Sequence, residues 1–329
     1  MGRAKIGVVI HLPLREELFS PEDKARLEAL GEVVWTDSPA PLTVEEAIAR
    51  LADCEVGVGS WGTPRPDPVL LPACPKLRLW EHVAGSVKGM FGPHLEGRDL
   101  VIASCAPAIA ENVAEVALGE LIVGLKRILE NAAANRAGRA PKPANSKPLH
   151  SSVIGVIGAS QVGRRLMSLL KPFAPTILLY DPFVSAAEAA QLGAQKVSDL
   201  VELCARSDAV TLHAPALPAT AQMLGGREFR AMRDDTVFIN TARGRCVDEA
   251  ALIAELEKGR LFAFLDVSDP EPAAEDSPLR RRPNVVYTSH IAGQADFKMG
   301  QQAVDDIAAF LGGGSPRMAV TAEMLERIA

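Results

Sequence analysis

Residues 153–163 read VIGVIGASQVG: an apolar run, a glycine at 158, and a second glycine at 163 where helical periodicity begins. A strand that turns sharply into a helix aims the helix's first N–H groups, and the positive end of its dipole, at whatever anion binds beyond the strand. Gly158 permits the tight turn, and Gly163 lets helix and strand pack closely. Ser160 stands where a dinucleotide-binding turn normally has its second glycine. Its side chain must therefore point away from a pyrophosphate, and its backbone must be one that a residue with a Cβ adopts. Taken alone, Gly158, Ser160, Gln161, Val162 and Gly163 fit a structural turn as well as a phosphate cradle. Asp181 tips the balance. A carboxylate ending the next apolar run, LLYDP, can accept hydrogen bonds from adenosine ribose hydroxyls and repels a 2′-phosphate. No Arg or Lys follows it closely, so the expected cofactor is NAD rather than NADP.

Around this turn the chain keeps alternating. After 152, TILLYD, AVTLHA, TVFINT, LFAFLDV and NVVYTSH are nearly continuous apolar runs, separated by amphipathic stretches such as SDLVELCARS and DEAALIAELEKG. Strands of a parallel sheet covered by helices on both faces have this pattern. From 5 to 104 the runs KIGVVI, EVVWTD, EVGVGS, LRLWEHV and LVIASCA alternate with helical patterns in the same way. Ser20 with Asp23 and Thr43 with Glu46 have capping-box spacing, which marks two of the helix starts. The fold class is α/β, with two doubly wound parallel-sheet domains.

Residues 108–130 predict one long helix whose apolar surface, with Val113, Val116, Ala117, Leu121 and Leu125, suggests burial against another domain or subunit. The stretch AGRAPKPANSKP, 137–148, predicts a surface connection. The C-terminal segment, helical from about Gln301 to Leu311 and again near Met324, is too short to stand alone and is expected to return to the first domain.

A chain of 329 residues with 48% hydrophobic content can bury two cores. A net charge of −6 argues against a nucleic-acid partner, whose phosphates call for Lys and Arg. The one tight basic run, Arg280, Arg281 and Arg282 between prolines, reads as a solvated loop. The five cysteines show neither metal-ligand nor disulfide spacing, so a reducing compartment and no metal are expected. Neither a signal segment nor an uninterrupted apolar span is present, and the expectation is a soluble, cytoplasmic protein without a membrane partner.

The stretches LHAPALPAT (212–220), NTARGRCVDEAAL (240–252), LDVSDPEP (265–272) and SHIAG (289–293) then follow in order. Each lies at the carboxyl end of a predicted strand, where open α/β sheets hold their ligands. Together they resemble the D-isomer-specific 2-hydroxyacid dehydrogenases, over most of the chain and most densely from 105 to 294. The resemblance implies a Rossmann NAD-binding domain, 105–294, inserted into a smaller flavodoxin-like substrate-binding domain formed by 1–104 and 295–329. It implies hydride transfer between NAD and a D-2-hydroxy acid or 2-oxo acid, mainly in the reductive direction, with the substrate between the domains and water excluded by closure. It also implies a homodimer joined through the long apolar helix.

Reducing a 2-oxo acid requires a cation for the carboxylate and a proton donor for the developing alkoxide. By resemblance these are Arg243, whose planar fork can grip carboxylate and carbonyl oxygens, and His290, whose imidazole can give and retrieve a proton. Glu271, bonded to the other ring nitrogen, would fix the tautomer. Asp266 resembles the residue that receives the nicotinamide carboxamide, with backbone help from Thr241 and Ala242. His213 and Pro215 match the family's His-x-Pro loop near the adenosine.

The family's substrate loop is glycine-rich; here it corresponds to WEHVAGSVKGM, 80–90, in which Ala84, Gly85 and Ser86 could offer amides while Ser86 and Val87 depart from the usual pattern. Trp61, Trp80 and His82 lie near the same strand ends, as pocket walls or as core or interdomain packing. The segment from Gly259 to Asp266 is one residue shorter than the family's usual spacing. Two other readings stay open: a non-catalytic NAD-sensing module like the corepressors that share this fold, and a Rossmann enzyme of another class.

Overall fold

The structure, a computed structural model, describes residues 3–92, 95, 97–139, 145–326 and 328. Part of the connection read at 137–148 lies outside them. The chain begins with β1 (Ala4–Val8), α1 (Leu12–Leu18), α2 (Pro21–Leu30), β2 (Gly31–Val34), α3 (Val44–Leu51), β3 (Val56–Gly59), β4 (Leu79–His82) and β5 (Val101–Ser104). Helices α4 (Ala106–Leu125) and α5 (Ile128–Arg136) follow. Next come β6 (Val153–Ile157), α6 (Gln161–Leu170), β7 (Thr176–Tyr180), α7 (Ala186–Gln191), β8 (Gln195–Lys196), α8 (Leu200–Arg206) and β9 (Ala209–Leu212). The chain closes with α9 (Gly226–Ala231), β10 (Val237–Asn240), α10 (Glu249–Glu257), β11 (Phe262–Leu265), β12 (Val285–Tyr287), α11 (Phe297–Leu311) and β13 (Ala319–Val320).

Two compact units result, one of residues 1–109 with 294–329 and one of 110–293. The division falls inside α4, at Ile109, rather than before Cys105, because the helix runs on without a break there.

The first unit holds a six-stranded sheet of order β13-β5-β4-β3-β1-β2, parallel except for β13. Its β2-β1-β3-β4-β5 order is that of the flavodoxin-like doubly wound sheet. Both expected capping boxes are formed: Ser20 and Thr43 each accept from the backbone N–H three residues on, and Asp23 and Glu46 each reach back. Helix α1, which the alternating pattern did not announce, has no side-chain cap and opens with a proline in its first turn. Trp80 is fully buried, its ring lying against Gly57 and Gly59 of the neighbouring strand, and His82 is buried too. Trp80 belongs to this unit's core, whereas Trp61 is exposed.

The second unit holds a seven-stranded, wholly parallel sheet of order β12-β11-β10-β9-β6-β7-β8. Strand order reverses between β6 and β9, which defines the crevice where such sheets bind ligands. Despite the shortened approach to Asp266, β11 pairs with β10 in continuous register from Val237↔Phe262 to Asn240↔Leu265.

The single helix expected over 108–130 is in fact two. α4 ends at Leu125, and Arg127 takes left-handed backbone, φ 55°, before α5 opens. The cause lies outside the helix. The buried guanidinium of Arg127 stacks on Phe262 at 3.9 Å and donates to the carbonyl oxygen of Asp235. Those contacts offset a backbone cost of about 1–2 kcal/mol. The apolar face of α4 is also used within its own unit, where Ala114, Ala117, Leu121 and Leu125 join the core beneath the sheet.

Gly300 on α11 passes so close to α1 that a Cβ would lie 2.0 Å from the carbonyl oxygen of Leu18. Gly300→Ala is therefore expected to destabilise the protein by about 1–3 kcal/mol, read as a lower urea midpoint. An unchanged midpoint would contradict this packing.

Candidate active site

The turn after β6 answers the question raised by Ser160. Gly158 has φ 93°, and a Cβ on it would sit 2.7 Å from the Ala214 nitrogen; a Cβ on Gly163 would sit 2.1 Å from the carbonyl oxygen of Gly158. Neither position has room for a side chain. Ser160, by contrast, has ordinary extended backbone, φ −64°, and acts as the N-cap of α6, its hydroxyl accepting from the Gly163 N–H at 3.4 Å. The hydroxyl is thus folded back on the helix, and Gln161 and Val162 form the first turn behind it.

Asp181, just beyond β7, is tied to the same turn. One carboxylate oxygen accepts from the Ala159 N–H and the other from the Phe183 N–H, each at 2.8 Å. The Gly158 N–H in turn donates to the carbonyl of Tyr180. The facing wall is the end of β9, where His213 is buried with its Nε2 2.8 Å from the Thr211 hydroxyl. Burial pushes the His213 ring down to about 3, so it is neutral and packs as part of the wall. Pro215 follows, its carbonyl receiving the Thr220 hydroxyl.

The ends of β10, β11 and β12 carry the second group. Asn240 organises the first loop, its amide donating to the Arg243 carbonyl and accepting from the Ala242 N–H. A Cβ on Gly244 would lie 2.1 Å from Ser268, so the turn bearing Arg243 rests directly on the segment that follows Asp266. That segment is held by Tyr287, whose hydroxyl contacts Ser268 and receives the Ala273 N–H, each at 2.9 Å. Arg280, read as solvated, also donates to the Ala273 and Ala274 carbonyls.

Glu271 and His290 come together on this scaffold, with Oε1 and Nδ1 2.6 Å apart and both side chains partly exposed. His290 has left-handed backbone, φ 56°. Asp266 holds it there. Its buried carboxylate accepts from the Thr288 hydroxyl at 2.7 Å and from the Ile291 and Ala292 N–H groups at 2.8 Å, while its carbonyl accepts from the His290 N–H. Thr241 beside this group is buried, and its hydroxyl has no hydrogen-bond partner among the described residues.

In the first unit the loop after β4 differs from expectation at Ala84, whose N–H is already donated to the His82 carbonyl. Gly85 and Ser86, half-buried and exposed, remain as candidate amide donors. Burial holds the His82 ring at about 4, again neutral. Sequence reasoning missed Asn240, Gly244, Tyr287 and Thr288. The Asn240 and Gly244 positions stood inside the quoted motifs, but their partners became visible only with the strand register.

A dinucleotide fits these residues: the two glycines leave bare backbone at the helix start, Asp181 borders it, and the orphaned Thr241 hydroxyl awaits a polar partner. The fold and this arrangement define a doubly wound nucleotide-binding unit with an arginine and a carboxylate–imidazole pair at its strand ends. Residues 118–292 match the family model described as D-isomer specific 2-hydroxyacid dehydrogenase, NAD binding domain, and the chain belongs to that family.

The D-3-phosphoglycerate dehydrogenase of Methanocaldococcus jannaschii is 30% identical over 92% of this chain and 56% of its own length. The chain thus spans about half the length of the curated phosphoglycerate dehydrogenases it matches. Glyoxylate/hydroxypyruvate reductase B of Escherichia fergusonii is 28% identical, covering 97% of this chain and 99% of the relative. A crystal structure of a phosphoglycerate oxidoreductase from Rhizobium etli superposes with a TM-score of 0.80 at 25% identity, covering 97% and 98% of the two chains. Nothing among these findings favours a non-catalytic module.

Because Ser160 caps α6, Ser160→Ala is expected to cost about 1 kcal/mol of stability and Ser160→Gly only a few tenths. Urea unfolding of both variants checks this, and equal losses would mean that the hydroxyl does not cap.

Proposed function

We propose that the chain is an NAD-dependent D-2-hydroxyacid dehydrogenase working mainly as a reductase of small 2-oxo acids. The observation that carries the proposal is the 2.6 Å contact between Glu271 and His290, beside the turn that presents Arg243. Glyoxylate and hydroxypyruvate are the first substrates to try, because the relative covered almost end to end is named for them.

NAD, when bound, supplies the hydride. The protein's part is binding, orientation and the proton. Arg243 grips the substrate carboxylate and carbonyl oxygen through two N–H donors, which also stabilises negative charge developing on that oxygen. Glu271 accepts the Nδ1–H of His290, which leaves Nε2 to deliver a proton to the nascent alkoxide and to take it back in the oxidative direction. Asp266 uses three of about four acceptor positions on the 288–292 loop, so one remains for the carboxamide of the cofactor. Backbone at Thr241 and Ala242 lies alongside. Asp181 receives the ribose hydroxyls, and its charge favours NAD over NADP. The turn from Gly158 through Gly163 faces the pyrophosphate, with His213 and Pro215 forming the adenosine wall.

The same proposal includes a cytoplasmic setting, supported by five free, buried cysteines. It also includes a homodimer through the exposed Ile128 and Leu129 and the apolar hollow lined by Ile122, Leu125, Pro148 and Phe173.

NADH oxidation with glyoxylate and hydroxypyruvate tests the chemistry. His290→Ala is expected to lower kcat by about 10²–10⁴-fold, and Arg243→Ala to lower kcat/KM by about 10²-fold or more. NADH fluorescence should show that both variants still bind the nucleotide. Turnover unchanged in both would refute the assigned roles. Sedimentation should give a dimer at micromolar concentration, and a monomer would overturn that part alone.

A further inference from the structure

Glu120, on α4, was invisible as a functional residue in the sequence, where it looks like an ordinary polar helix position. The packing of α4 on the sheet gives it a definite neighbour. At Gly124 a Cβ would lie 2.8 Å from Val237 and 2.9 Å from Phe264, so the helix backbone presses on β10 and β11 there. Four residues back along the helix, about 6 Å, is Glu120; two residues on from Phe264 along the strand, about 6.6 Å on the same face, is Asp266. Helix and strand spacing thus bring Glu120 alongside Asp266, whose charge acts on it.

Their surroundings are unequal. Asp266 takes three hydrogen bonds from Thr288, Ile291 and Ala292. Oε2 of Glu120 is buried with no hydrogen-bond partner among the described residues. On its own helix the positions one turn away, Val116, Ala117, Val123 and Gly124, carry no charge, and from the sheet Asp266 is the charged group that acts on it. Two adjacent carboxylates cannot both ionise cheaply. Glu120, buried and without donors for that oxygen, is the one that holds its proton.

We propose that Glu120 is a positioning residue, a carboxyl beside Asp266 whose ionisation would loosen the hold of Asp266 on residues 288–292 and so misplace His290. The catalytic consequence rests on the function proposed above; the mechanical link does not. Burial, and secondarily the charge of Asp266, push the Glu120 carboxyl up to about 8. With the unfolded chain's carboxyl at the ordinary 4.5, the unfolded state binds fewer protons between these values. The stabilisation associated with the protonated form is therefore lost progressively from about pH 4.5 and is gone once pH has risen through about 8.

The test follows the Ile291 and Ala292 amide resonances by NMR in the cofactor-free protein, from pH 6 to 10, in wild type and in Glu120→Gln, which keeps the shape without the charge. Both amides should shift with an inflection near pH 8 in the wild type and show none in Glu120→Gln. In urea, the variant's advantage in midpoint should grow from about pH 4.5 to about pH 8 and then level off. The ratio of variant to wild-type kcat should rise about threefold or more between pH 6.5 and 9 with KM little changed. Flat amides in the wild type, or the same inflection in both proteins, would overturn the proposal. The amide inflection lost in Glu120→Gln without turnover of any 2-oxo acid would support the link to the loop while removing the dehydrogenase reading.

Discussion

The carboxylate of Asp266 is the fixed point of the candidate site. It sits at the end of β11, out of contact with water, and gathers one hydroxyl and two backbone N–H groups from the segment that carries His290. Hydrogen bonds to a charged group are worth about 1.5–3 kcal/mol each. A left-handed non-glycine residue costs about 1–3 kcal/mol. Three such bonds outweigh the strain at His290, so the imidazole is held where the chain would not otherwise put it. Glu271 reaches that imidazole only because a second set of contacts, through Tyr287 and Ser268, fixes the loop on which it rides.

The nucleotide side of the unit obeys a steric version of the same logic. Strands β6 and β9 are neighbours at the point where the sheet's winding reverses, and the turn after β6 lies against the backbone after β9 so closely that only glycine fits at 158. Gly163 then presses on the carbonyl of Gly158. Between them Ser160 is tolerated because its conformation is ordinary and its hydroxyl is occupied with the helix behind it. A serine in this place alters the cap and leaves the glycine contacts as they are.

How far the sequence could be read follows from where the deciding contacts lie. Local physics was readable: the apolar strands, the Ser20 and Thr43 capping boxes, and the glycine turn all depend on neighbours a few residues away. The motifs holding Arg243, Glu271 and His290 were readable as a resemblance; the structure adds the contact between Glu271 and His290, while the Arg243 guanidinium donates to the Ala242 carbonyl. What escaped depends on distant partners. Arg127 breaks a good helical pattern because Phe262 and Asp235 lie beside it. Ala84 loses its free amide to the bend after His82. Trp80 turns inward because two glycines of the adjacent strand make room for its indole. Glu120 gains its meaning from the register of a helix on a sheet, which no stretch of sequence records.

The most direct measurement of the central claim is the tautomer and bonding of His290, followed by long-range ¹H–¹⁵N correlation in histidine-labelled protein. If Asp266 and Glu271 hold the ring as described, neutral His290 carries its proton on Nδ1, and Glu271→Ala or Asp266→Asn returns it to the Nε2–H form preferred by unconstrained histidine. An Nε2–H ring in the wild type, unchanged by either substitution, would contradict the account.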